Sequence, residues 1–157
     1  MVLYNFKITP RIWIDINKNT SFTLEDLEGN GSTTKFKIIL ASNINNPSAI
    51  DNDIGIITNE EGQLDHTSFN EIIPTNGYTD VYLDYQPTSG GGFSIVSTTN
   101  SVDINVGSTT VNLRGIFLVE ANTDYLLGYS IFSSDLALAN SITLPIVGSL
   151  LTLNKTI

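Results

Sequence analysis

A chain of 157 residues that is 41% hydrophobic, 15% charged and formally −9 in net charge is long enough for one self-sufficient core, and it reads as a single domain over 1–157. Its seven Lys and Arg stand singly, which argues against a nucleic-acid partner, and the acidic surface disfavours docking on an anionic membrane. With no cysteine there is no disulfide frame, thiolate nucleophile or cysteine-ligated metal.

The polar share is mostly Asn, Thr, Ser and Gly, the residues of turns and strand surfaces rather than of solvated helices. Apolar residues recur with period two, broken about every 8 to 12 residues by turn residues, as in sandwiches and barrels. Residues 3–8 form a weak first candidate strand. Residues 11–16 alternate cleanly, with Ile12, Ile14 and Ile16 on one face and Arg11, Trp13 and Asp15 on the other. A short helical turn is expected over 23–27. Residues 35–41 predict a strand with Phe36, Ile38 and Leu40 inward. Pro47 to Asp51 predicts one helical turn with Asn46 as its cap, a loop decoration outside the core. Residues 54–58 are a weak strand, and 60–70 a polar connection. Over 79–85, Val81, Leu83 and Tyr85 oppose Asp80, Tyr82 and Asp84. Strands at 93–97, 102–106, 111–120, 125–132, 142–147 and 150–153 complete the chain. The expected fold is all-β, a two-sheet antiparallel sandwich of jelly-roll-like or immunoglobulin-like form, with at most short helical turns in its loops.

Chemistry is sparse along this scaffold. Asp15, Asn17 and Asn19 have the oxygen spacing that opens a calcium loop, but Thr20 stands where glycine must turn and Asp26 where a bidentate glutamate must close. The stretch reads as a polar strand exit. Asp51-Asn52-Asp53 is a second carboxylate group. Asp80 and Asp84, four apart on a strand, lie roughly 13 Å apart, beyond the spacing of a glycosidase pair. His66 is the lone histidine, in a Gly/Asp/Ser-rich loop with no catalytic frame around it, and reads as an ordinary exposed loop residue. Gly90-Gly91-Gly92 lacks the Lys-Ser/Thr of a phosphate loop and reads as a hairpin tip. No catalytic, metal or cofactor residue is assigned, and the chain is read as not an enzyme. The start, MVLYNFKITPRIW, lacks a signal-peptide pattern, and no apolar run approaches the roughly 20 residues of a membrane span. Synthesis in a host cytoplasm without export by signal peptide is the expectation. Trp13 and Tyr82 sit opposite the aliphatic rows of their strands, so each either anchors a partner interface or is covered by a loop or the second layer.

The last quarter carries a family resemblance. Arg114-Gly115-Ile116-Phe117-Leu118-Val119 leads to Tyr125-Leu126-Leu127-Gly128-Tyr129-Ser130, then Ser141-Ile142-Thr143-Leu144-Pro145 runs to Gly148-Ser149-Leu150-Leu151-Thr152-Leu153. This succession resembles the C-terminal strands of small virion proteins of tailed bacteriophages: capsid auxiliary or decoration subunits, head-fibre parts, and tail or baseplate components. It covers about 111–157 and brings no functional residue with it. The resemblance implies a structural subunit of a virion that binds capsid or tail proteins and further copies of itself. The alternative is a glycan-binding β-sandwich module that uses Trp13 or Tyr82.

Overall fold

The computed structural model describes residues 7–8, 34–87, 93–97, 99, 101–145 and 149–153. Ten antiparallel strands run through them: β1 (Lys7–Ile8), β2 (Phe36–Ser42), β3 (Asn70–Ile72), β4 (Leu83–Pro87), β5 (Phe93–Ser97), β6 (Ser101–Asn105), β7 (Val111–Glu120), β8 (Leu126–Leu138), β9 (Ser141–Pro145) and β10 (Ser149–Leu153). Two single 3-10 turns, Pro47–Ala49 and Ile54–Ile56, are the only helical pieces among the described residues. The molecule is the expected all-β sandwich. One layer is a five-stranded sheet in the order β1-β8-β7-β2-β3, and the other comprises β10-β5-β4 and the β6-β9 pair.

Alternation along the strands builds the interface between these layers. Phe36, Ile38 and Leu40 of β2 and Ile116 and Leu118 of β7 meet Leu83 of β4, Val102 and Ile104 of β6, and Leu144 of β9 in one buried cluster. Fully burying each such side chain contributes about 1.5–3 kcal/mol. Val81 pairs with Phe36 at the edge of the first sheet, and the chain then passes into β4 of the second. A corner links β6–β7 to β8–β9: Val106 N–H donates to Asn140 O at 2.8 Å and Asn140 N–H to Gly107 O at 2.7 Å. Gly107 makes that corner at φ +84°, a conformation that costs glycine little.

The sandwich has a further cover that alternation alone does not reveal. Ile39 and Ala41 of β2 and Phe117 and Val119 of β7 face away from the second sheet, yet they are also buried. The long connection between β2 and β3 lies over them and supplies Ile44, Ile50, Ile57, Leu64 and Phe69. The Pro47 turn is therefore followed directly by a core residue, Ile50, and is not the decoration expected. Asn46 does stand at its cap position, but in the left-handed region (φ 42°, ψ 55°) and with no side-chain capping bond. The expected strand at 54–58 is instead a 3-10 turn. The Asp53 carboxylate accepts from Gly55 N–H at 3.1 Å and the Thr58 hydroxyl donates to Ile54 O at 3.0 Å, which curls the chain and drops Ile57 into the core. The outer strand expected at 79–85 begins later, at Leu83. Strand 11–16 with Trp13, the calcium-like stretch from Asp15, the 23–27 turn and Gly90-Gly91-Gly92 lie outside the described residues.

Candidate functional site

Three surface features follow from this packing. The first is apolar exposure. Tyr82 is 37% exposed between buried Val81 and Leu83, so it lies on the outward side of its strand as alternation predicts. Its backbone N–H donates to the Thr99 hydroxyl at 3.1 Å. Ile73, immediately after β3, is 69% exposed, and sequence periodicity did not single it out. Pro74 and the turn closed by Gly77 N–H to Pro74 O follow it directly.

The second is a polar network around His66. Glu120, nearly buried at the end of β7, folds the turn into β8 by accepting from Asn122 N–H, Thr123 N–H and the Thr123 hydroxyl at 3.1, 2.7 and 2.6 Å. That turn presents Asp124 at φ 58°. One Asp124 oxygen lies 2.7 Å from His66 Nε2, while Glu71 of β3 lies 3.2 Å from His66 Nδ1. Lys37 Nζ approaches the other Asp124 oxygen to 3.0 Å, an ion pair without the angle of a directed hydrogen bond. The same ammonium sits 5.0 Å from the centre of the Tyr78 ring, and the Tyr78 hydroxyl donates to Glu71. The imidazole also packs on Phe69, with ring centres 5.4 Å apart. The expected ordinary loop histidine is thus a half-exposed tie between three parts of the fold. With a carboxylate at each ring nitrogen, neither nitrogen is left facing outward as a general base.

The third is a groove of about 360 Å³ where β1, the Pro47 turn, β7 and β8 meet. It exists because the β7–β8 ladder slips: Gly115 pairs with Ile131 but Leu113 with Leu136, so Arg114 alone faces the run from Phe132 to Asp135. On one wall Lys7 Nζ donates to Asp51 at 2.6 Å, and the other Asp51 oxygen accepts from the Tyr129 hydroxyl at 2.9 Å. The Lys7 ammonium and the Tyr129 hydroxyl hold the Asp51 carboxyl below its usual range. Burial first, and then the Asp51 carboxylate, push the Tyr129 phenol up to about 12. Of the Asp51-Asn52-Asp53 group, then, Asp51 binds cation and phenol while Asp53 caps a turn. Asp80 pairs with Lys35 at 3.2 Å. Among the described residues no three His, Asp or Glu side chains converge as metal ligands do. None of them forms a helix long and apolar enough to cross a membrane.

Sequence reasoning found Tyr82 but neither the His66 network nor the groove. Glu71 and Asp124 are 53 residues apart, and a ladder slip has no periodic signature. No family model, curated protein or solved structure matches the chain.

Proposed function

We propose that this chain is an assembly subunit of a tailed-phage particle, binding a capsid or tail protein and further copies of itself through surface contact. The observation that carries the reading is how its reactive groups are used. The single histidine and the carboxylates beside it hold the fold's own parts together, while large apolar side chains, Ile73 and Tyr82, stand at the surface. Exposed aromatic and aliphatic anchors of this kind are what protein interfaces bury. The strand succession from Arg114 to Leu153, similar to that of small virion proteins, supports the same reading. So does the architecture, a sheet packed on both faces that gives each copy a stiff outer surface to repeat.

Mass spectrometry of purified particles from a phage that encodes the chain tests this. The subunit is expected in stoichiometric multicopy amount. Tyr82→Ala and Ile73→Asp variants that fold normally are expected to be depleted from particles. Absence of the chain from particles, or full incorporation of both variants, would overturn the proposal.

A further inference from the structure

We propose that the groove at the β7–β8 slip binds an acidic sugar of the hexuronic type, with its carboxylate on Arg114 and its ring against Phe132. The inference goes beyond the assembly reading and rests on a different surface. Arg114 is the least satisfied of the described cations in ion pairs. Lys7, Lys35 and Lys37 meet carboxylates at 2.6, 3.2 and 3.0 Å, whereas Arg114 Nη1 reaches Asp135 only at 3.5 Å, the outer limit of a hydrogen bond. A guanidinium has five N–H donors in a planar fork suited to a carboxylate, so most of this one's capacity is unspent. Its Nε is shielded from water and has no hydrogen-bond partner. Shielding lowers the local dielectric and strengthens the attraction of the head group for an anion. The protein's overall negative charge opposes this weakly, because charges beyond about 8 Å are largely screened at physiological ionic strength.

The remaining walls fit a sugar better than a bare anion or a peptide. Phe132 and Ile131 supply apolar surface for the face of a ring, and Ser133 supplies a hydroxyl at the rim. Asp51 already holds one of the three Lys7 donors, so the ammonium stands in the groove wall with two more for sugar hydroxyls. A volume of about 360 Å³ lies at the small end of ligand pockets, room for one ring rather than an extended chain.

The test is titration of the full chain with galacturonic acid, followed by backbone amide shifts in NMR. Three further titrations use galactose (the same ring without the carboxylate), acetate (the carboxylate without the ring) and a glutamate-containing tripeptide. Galacturonic acid is expected to move the amides of Arg114 and Ser133, and each of the other probes to bind about tenfold or more weakly. Arg114→Gln is expected to weaken galacturonic acid by a similar factor. Should that variant fail to fold, Ser133→Leu replaces it, since Ser133 is exposed and the larger side chain fills the groove. No shifts at millimolar galacturonic acid, or unchanged binding in a folded variant, would refute the proposal. So would acetate equal to galacturonic acid, which marks a simple anion site, or tighter tripeptide, which marks a peptide site.

Discussion

Gly115 lies in the most crowded part of the central sheet, and adding a single methyl group there gives a direct measure of the packing. A Cβ at this position would lie 2.9 Å from Ile44 Cδ1, 3.0 Å from Ile131 Cδ1 and 3.0 Å from the Ser130 carbonyl oxygen. Two effects compete in Gly115→Ala. Removing glycine from a strand interior stabilises by roughly 0.5–1 kcal/mol through the unfolded chain. Overpacking a dense core costs about 1–3 kcal/mol. The steric cost wins, because one obstacle is backbone and cannot rotate away, and the other two are methyl groups held in a packed cluster. The net expectation is a destabilisation of about 0.5–2 kcal/mol, read by urea denaturation as a lower midpoint at unchanged slope. Ile44→Val removes the closest methyl and by itself costs about 0.5–1.5 kcal/mol. On that background Gly115→Ala should cost at least about 0.5 kcal/mol less than it does alone. A neutral or stabilising Gly115→Ala would refute the packing argument. Equal costs on the two backgrounds would show that Ile44 is not the obstacle.

Alkaline titration followed by phenolate absorbance should show one tyrosine, Tyr129, ionising near the value of about 12 to which burial and Asp51 push it. Because the folded value lies above the ordinary 10.0, the stabilisation is fully present below about pH 10 and is lost as pH rises towards 12. A phenol with no titration above 10.0 would contradict the burial and the Asp51 contact alike. His66→Ala removes the partner of both Glu71 and Asp124, and at a half-exposed site should cost about 1 kcal/mol. Amide exchange in 59–66 should quicken more than in β7, and uniform quickening would mean that His66 does not hold the loop locally. Tyr82→Ala should change the stability of the isolated chain by less than about 1 kcal/mol but weaken assembly by roughly 2 kcal/mol. Trp13→Ala is expected to behave in the same way. If its stability instead falls by about 3–5 kcal/mol while folded protein still assembles, Trp13 is a core residue.

Period-two alternation was enough to identify an all-β sandwich, because a strand that buries one face must alternate whatever its neighbours are. The signal is local, so β5 and β7 fall at the predicted residues, 93–97 and 111–120, and the inward row Phe36, Ile38, Leu40 meets the second sheet as expected. Alternation also put Tyr82 outward. The same signal failed where both faces are buried. Ile39 and Ala41 carry no mark that a loop will cover them, and Ile54, Ile56 and Ile57 look like strand until Asp53 and Thr58 bond the backbone into a turn. The sites were less legible than the fold. His66 gains its role from Glu71 and Asp124, which two separate turns bring to its two nitrogens. The Arg114 groove depends on a slip in pairing between β7 and β8, and pairing register is settled between strands rather than within either one. Composition and periodicity thus determined which faces were available for burial, and only the tertiary structure decided what covered them and which distant polar groups met at their edges.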